Sequence, residues 1–378
     1  MTSGIVNNNR AIIIGDSTNN TLSIIRSLGE AHIDMILILK CEQDRCFVSY
    51  SKYLKGKYVY RIACMEECLS ILSKIKSNKF NQYIICSFDE AAEFIDQHEE
   101  TLYPMYMTPS KGQHIGRLFN KEEQCILAAE CGLTIPKSHI LHRSDNIESL
   151  TISFPVLLKP LYSTKGEKSD IHICYELKDI IKSFREESSC TDFLLQEFIN
   201  KEYELDCIGI RTEKEVVIAG AVKTIRHYPE LIGAGAYGLF LPVSKLNLNI
   251  QGIENFLKRA NYYGPFSIEF LHRGTENYFM EVNFRNEGLA YTATAAGANL
   301  HALYLDPNYV INTNKIKDVY MMNYSIDFLY VKEKKIGLIH WIRDFLRTNC
   351  FININGKDLS PTLEYYKHKI SSKFHKKT

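Results

Sequence analysis

The first hundred residues alternate short apolar runs with amphipathic stretches. Residues 11–14 ("AIII") form an apolar run bounded by Gly15, which predicts a buried strand followed by a loop. Asn20 or Thr21 is placed to cap a helix that runs through Leu28, and residues 33–39 read as a second strand. A β-α-β unit of this kind calls for a parallel sheet and a right-handed crossover. "YIICS" and "DEAAEFIDQHEE" supply a further strand and helix. The pattern breaks at "YPMYMTPSKG", which predicts a boundary near residue 110. Helical patterning resumes in "NKEEQCILAAECGLTIPKS", with Asn120 as N-cap, Glu122 and Glu123 in the first turn, and Gly132 as the stop. Beyond it the spacing predicts a strand to Lys159, a polar loop, a strand and a helix from about Leu177. "DFLLQEFINKEYELDCIGIRTEKEVVIAGAVKTI" reads as strand, connector, strand, turn at residues 212–214 and strand, then come the helix "GIENFLKRANYYG" and a hairpin, "FSIEFLHRGTENYFMEVNFR". The last seventy or so residues mix helix and strand signals. The expected class is α/β, with an α+β second domain.

The hairpin carries unusual polar positions. Glu281, Asn283 and Arg285 lie at i, i+2 and i+4, so period two puts them on one face, with Met280, Val282 and Phe284 on the other. Centring the hairpin on Thr275 sets Glu269 opposite Glu281, with Cβ atoms about 5 Å apart. Two opposed carboxylates repel unless something neutralises them. A divalent cation does so, and Asn283 adds a neutral oxygen; carboxylates plus substrate phosphates is the usual way Mg²⁺ is held. Lys159 ends a buried strand and faces "PLYSTKGEKS", where Ser163, Thr164, Lys165 and Gly166 offer hydroxyl, backbone and ammonium donors. Such a loop suits a phosphate cover or a plain hairpin turn. It is not G-x-x-x-x-G-K-[ST], and the first turn, Gly-Asp-Ser-Thr-Asn-Asn, is not G-x-G-x-x-G. The first domain is therefore read as a scaffold or a substrate-side unit.

Composition adds mostly exclusions. The chain of 378 residues is long enough for two or three domains, and 45% hydrophobic with 24% charged residues is an ordinary globular balance. A net charge of +1 gives no ground for nucleic-acid or membrane-surface binding. No apolar run approaches the ~18 residues of a membrane span. Eleven cysteines, an odd number without a framework, and a polar N-terminus predict a reduced, cytoplasmic protein. Cys64 and Cys68 lack a second ligand pair for metal. The basic end, "KHKISSKFHKKT", reads as a solvated terminus.

Taken in order, "NKEEQCILAAECGLTIPKS", "FPVLLKP" with its loop, "LLQEFINKEYELD", "SIEF" and "EVNFRNEG" resemble the ATP-grasp superfamily over about residues 112–308. The layout is most similar to its D-aspartate ligase and carbamoyl-phosphate-synthase large-chain branch. The resemblance implies a Rossmann-like pre-grasp domain (1–110), a two-lobed grasp domain (111–308, lid lobe about 150–195) and a C-terminal extension (309–378). It implies that Lys121 and Lys159 contact ATP phosphates, and that residues 163–168 form the lid. Gln196, Glu197, Phe198 and Ile199 would be the connector that reads adenine, and Glu204 the acid near the ribose. Glu269, Glu281 and Asn283 would be Mg²⁺ (or Mn²⁺) ligands, and Arg285 would steady an acyl phosphate. Asn120-Lys121 replaces the commoner Asp-Lys, and Gly166 is the only glycine of the lid. The implied activity is ATP-dependent, ADP-forming ligation of a small carboxylate to an amine, in a protein that pairs through its outer domains as a homodimer. The alternatives are another acceptor, carbamate or thiol, or a nucleotide-binding regulator. In "KTIRHYPELIGAGAYG", Lys223, Arg226 and His227 are candidates for a substrate carboxylate, with Lys223 alternatively on phosphate, or the loop is plain surface. Asn286 and Tyr291 are weaker substrate candidates, and "GKDLSPTLEYY" is expected to pack on the grasp domain.

Overall fold

The computed structural model describes residues 8–41, 46–54, 56–147, 152–162, 170–185, 191–230 and 233–375. Residues 163–169 lie outside them, so Ser163, Thr164, Lys165 and Gly166 receive no structural account.

The first unit contains β1 (Asn9–Gly15), α1 (Asn19–Glu30), β2 (Asp34–Lys40), β3 (Val59–Ile62), α2 (Glu66–Ile75), β4 (Asn81–Cys86), α3 (Asp89–Gln97) and the single turn α4 (Glu99–Leu102). Its sheet is parallel, in the order β3-β2-β1-β4. Alternation along β1 divides the core: Ala11 and Ile13 pack with α1, while Ile12 and Ile14 pack with α2 and α3. The cap of α1 is Thr18, whose hydroxyl accepts from the Asn20 amide, not Asn20 or Thr21 as the pattern suggested. Asn20 is used elsewhere: its amide nitrogen donates to the Ser87 carbonyl across the sheet ends.

α5 (Lys121–Glu130) begins where expected. The Asn120 carbonyl oxygen accepts from the amides of Glu122 and Glu123, so asparagine fills the capping role an aspartate would fill. Gly132 follows the helix in the left-handed region, at φ +80°. A small antiparallel sheet, β5-β8-β6-β7, is built from β5 (Ser138–His142), β6 (Val156–Pro160), β7 (His172–Cys174) and β8 (Asp192–Glu197), with α6 (Leu177–Arg185).

The large sheet contains β9 (Tyr203–Arg211), β10 (Val216–Tyr228), β11 (Ala234–Pro242), β12 (Gly264–Arg273) and β13 (Glu276–Asn283). α7 (Ile250–Ala260) packs on one face with α5. α8 (Ala290–Ala295) and α9 (Leu300–Leu305) cover the other face, and also pack against α1. β14 (Val319–Met322) and β15 (Cys350–Phe351), from the stretch expected as an extension, complete the order β13-β12-β9-β10-β11-β14-β15. Between and after them lie α10 (Tyr324–Lys332), α11 (Leu338–Arg347) and α12 (Ser360–His375).

"GKDLSPTLEYY" packs against the first unit, not the large sheet. Asp358 accepts from Arg26 of α1, from the Ser51 hydroxyl and from the Lys52 amide, and Tyr365 meets Phe47 edge-on. A second correction concerns the thiols: Cys41 and Cys46 are joined as a disulfide, against the expectation that all cysteines are reduced. Among the described residues, no helix is long and apolar enough to cross a membrane.

Candidate active site

A cavity of about 480 Å³ opens between the small sheet, the large sheet and the N-terminus of α1. Its polar floor is one face of the large sheet. Glu281 on β13, Glu269 on β12 and Asp206 on β9 are successive cross-strand partners, so their side chains share that face. The two-residue turn Gly274–Thr275 by itself would pair Glu269 with residue 280. A bulge at Met280 inserts one residue and brings Glu281 opposite Glu269. The bulge also breaks the alternation, and Met280 lines the cavity beside Glu281 instead of pointing to the far side.

Facing the two glutamates are two buried lysines. Lys121, on the first turn of α5, pairs with Glu281 at 2.5 Å. Lys159, at the end of β6, is 4% exposed, and its ammonium makes no hydrogen bond or ion pair with any described residue. Burial and the Lys121 charge push its pKa down. Burial alone would raise Glu281, but Lys121 and Lys159 overcome it and hold this carboxyl at about 2. Glu269 feels Lys121 less than it feels its acidic neighbours. Burial, then Glu281, Glu204 and Glu287, push it up to about 8, so at neutral pH it keeps its proton. One of the opposed pair is thus ionised and the other is not, which relieves their repulsion.

The neighbouring wall is an apolar slot. Leu157 from the small sheet and Ile171 just before β7 line it together with Leu271 and Met280 from the large sheet, beside Glu197, Phe198 and Ile199. Apolar side chains next to a polar backbone suit a purine ring. Glu204 also lines the cavity, but its carboxylate is engaged, by Lys201 at 2.6 Å and by His227 at 3.3 Å. Gln196 is fully buried behind the slot and does not line it.

The structure therefore brings Lys121, Lys159, Glu197, Phe198, Ile199, Glu204, Glu269 and Glu281 to one cavity. It does not bring Arg226 there. Arg226 donates from Nε and Nη2 to Asp327 (2.8 and 2.9 Å) and from Nη1 to Asp344 (2.7 Å), holding α10 and α11 to the sheet. The expected carboxylate-binding role of Arg226 is corrected on that ground. The Lys223 ammonium sits 3.6 Å from the Tyr203 ring centroid, and Tyr203, not Lys223, lines the cavity. Asn283 and Arg285 lie just beyond the wall: Arg285 Nη2 donates to Asn283 Oδ1 at 3.1 Å, and Asn283 Nδ2 donates to Ser267 at 3.2 Å. Tyr291 bonds Glu30 and Asn355, away from the cavity. His227, Gly233 and Gly235 do line it.

Among the lining residues that went unread in the sequence are Asp206, Thr224 and Glu287. Asp206 was within reach, being two residues after Glu204 on the same strand face. It accepts from Thr224 at 3.2 Å, and burial with Glu204, Glu287 and Glu269 pushes its pKa well up. Nothing in the local pattern marks Glu287.

Among the described residues, no group of three His, Cys, Asp or Glu side chains could hold a metal alone. The two-glutamate floor fits the other mode, in which one or two carboxylates hold Mg²⁺ and phosphate oxygens complete its shell. The donor set is all oxygen, and Glu269, whose carboxyl has no hydrogen-bond or ion-pair partner among the described residues, is available to it.

No family model matches the chain. Over 242 residues it is 23% identical to the carbamoyl phosphate synthase large chain of Saccharolobus solfataricus, a match covering 61% of this chain but only 22% of that protein. Among solved structures, an N5-carboxyaminoimidazole ribonucleotide synthetase with bound ADP superposes with a TM-score of 0.66 at 15% identity, covering 89% of this chain and 87% of the other. An L-amino acid ligase from Bacillus licheniformis gives 0.57 at 14% identity, covering 82% and 75%. The biotin carboxylase domain of 2-oxoglutarate carboxylase from Hydrogenobacter thermophilus gives 0.60 at 15%, covering 82% and 73%.

Proposed function

From the ATP-grasp fold, which the chain shares with these ligases, we infer that it is an ATP-dependent, ADP-forming ligase that couples a small carboxylate to an amine. The observation that carries this reading is the opposition of Lys121 and Lys159 to Glu269 and Glu281 beside an apolar slot. Adenine would lie between Leu157, Ile171, Leu271 and Met280, against the backbone of residues 197–199. The triphosphate would extend toward the two lysines.

A substrate carboxylate oxygen attacks the γ-phosphorus; the bond to the β-γ bridging oxygen breaks, and ADP leaves with that electron pair. The resulting acyl phosphate is attacked by an amine, and inorganic phosphate departs. Little covalent work falls to the protein in such a transfer, so positioning and charge compensation do most of it. Lys159, whose ammonium has no partner among the described residues, is set to receive a phosphate oxygen. Lys121 compensates charge while it keeps Glu281 ionised. Arg285 is proposed to steady the acyl phosphate. A divalent cation held by Glu269 and Glu281 would supply charge neutralisation of the phosphates. The enclosing walls exclude water from an intermediate that hydrolyses readily.

The test is ADP release from Mg-ATP with pools of carboxylates and amines, followed by mass spectrometry. ADP release that requires both pools, with a new amide mass, is expected. ADP release that needs only one pool, with no amide formed, rejects ligation.

A further inference from the structure

We propose that Asp89, the first residue of α3, is the positioning residue for Arg285, so that the arginine assigned to the acyl phosphate is aimed from the N-terminal unit. The proposal rests on the reading of Arg285 given above. Arg285 lies two residues past the end of β13, where no strand ladder fixes it. Its guanidinium is fixed by Asp89 instead: Nε donates to Oδ1 at 2.8 Å, and Nη2 lies 3.4 Å from Oδ2. The pair is enclosed, with side-chain exposures of 13% for Arg285 and 32% for Asp89.

A guanidinium has five N–H donors in a rigid fork. Asp89 takes the Nε edge, and Asn283 takes the other Nη2 proton at 3.1 Å. Among the described residues, Nη1 meets only the Asn286 carbonyl, at 3.5 Å. The edge left for an incoming anion is therefore Nη1, and Asp89 decides this by occupying the opposite side. Asp89 is itself well placed to hold still, because a carboxylate on the first turn of a nine-residue helix is favoured by the amide dipoles there.

The contact is one part of a wider seam. The Asn286 amide donates to the Cys86 carbonyl at 2.9 Å, the Asn286 side chain to the Asn20 carbonyl at 2.8 Å, and the Gly288 amide to Asn20 Oδ1 at 2.8 Å. Residues 285–288 are thus seated at the carboxyl ends of β1 and β4. These strands flank the point where the sheet order reverses, the crevice where open α/β sheets receive ligands. The first unit, read from its sequence as scaffold or substrate side, has through Asp89 a hand in the arginine's aim.

The experiment measures inorganic phosphate binding to the full chain saturated with Mg-ADP, by calorimetry. It compares wild type with D89A, D89N, D89E, R285A and the double variant D89A/R285A. We expect D89A and D89N to weaken phosphate binding on the order of tenfold, because a displaced donor loses its target, while Mg-ADP affinity stays put. D89E restores part of the loss, and D89A adds nothing in the R285A background. A residue that only neutralised Arg285 would act the other way, and removing its charge would tighten phosphate binding. Unchanged or tighter binding in both D89A and D89N, with R285A impaired, overturns the proposal and leaves the ligase reading standing. Wild type that binds Mg-ADP but no phosphate sinks the role of Arg285 and the proposal with it. Wild type that fails to bind Mg-ADP sinks the function itself.

Discussion

Binding of a divalent cation should expel one proton, and Glu269 should be its source. In the metal-free protein burial and three neighbouring carboxyls hold Glu269 at about 8, while Lys121 and Lys159 hold Glu281 at about 2. A cation bound by both needs both ionised. At pH 7 a group titrating near 8 is only about one-tenth ionised, so apparent affinity is reduced about tenfold; at pH 9 the reduction nearly vanishes. Calorimetry with Mg²⁺ and saturating ADP should therefore give about tenfold tighter binding at pH 9 than at pH 7. Runs in buffers of different ionisation enthalpy should show nearly one proton released at pH 7. Glu269→Gln cancels the protein's share of that proton and weakens the cation, which separates it from protons of the nucleotide. The sign for stability follows from the raised value. Glu269 favours the metal-free fold most fully below its unfolded pKa near 4.5, and that contribution disappears as pH rises through about 8. Cation affinity independent of pH, or a Glu269→Gln variant that releases the same proton as wild type, would refute the reasoning.

The same electrostatics separates the two glutamates. Glu281→Gln leaves Lys121 buried without its partner and should cost roughly 3 kcal/mol of stability at pH 7, from a shift of about 2.5 pKa units. Glu269→Gln replaces a group that must take up a proton on folding at pH 7, so it should raise stability rather than lower it; equal urea midpoints for the two variants would contradict this. The Glu281 contribution is present above about pH 4.5 and is lost as pH falls through about 2. Lys159→Ala removes a buried charge without a described partner, so the fold should not weaken, while ATP affinity falls roughly ten- to a hundredfold, the worth of one charge-assisted hydrogen bond; wild-type affinity would reject the phosphate role. Asp358→Ala strands Arg26, whose side chain is 1% exposed, and should cost about 3–5 kcal/mol. Urea unfolding within about 1 kcal/mol of wild type, with α12 still protected from hydrogen exchange, would show that this clasp does not hold the C-terminal segment.

Much of the site was readable because its parts lie on regular elements. Period two along "YELD" and "YFMEVN", a capped helix at Asn120 and a strand ending at Lys159 place Glu204, Glu281, Lys121 and Lys159 without any tertiary information. The Glu269–Glu281 pairing was obtained by centring the hairpin on Thr275, yet the molecule reaches it through a shorter turn plus a bulge, a compensation that no local pattern announces. Arg226 was misplaced because its acidic partners lie 101 and 118 residues away, on helices that follow the grasp sheet. β15 is two residues long and has no period to detect. Asp358 looked like one more polar loop residue because its value comes from Arg26, at the other end of the chain.

The most direct test of the central claim follows one oxygen atom. A carboxylate that attacks the γ-phosphorus leaves one of its oxygens on the phosphate when the amine displaces it. Turnover of Mg-ATP with ¹⁸O-labelled carboxylates and unlabelled water should give inorganic phosphate that carries a single ¹⁸O, alongside ADP and the amide. Phosphate that carries no label while ADP accumulates would mean that water, not a carboxylate, takes the phosphoryl group, and the chain would not be a carboxylate–amine ligase.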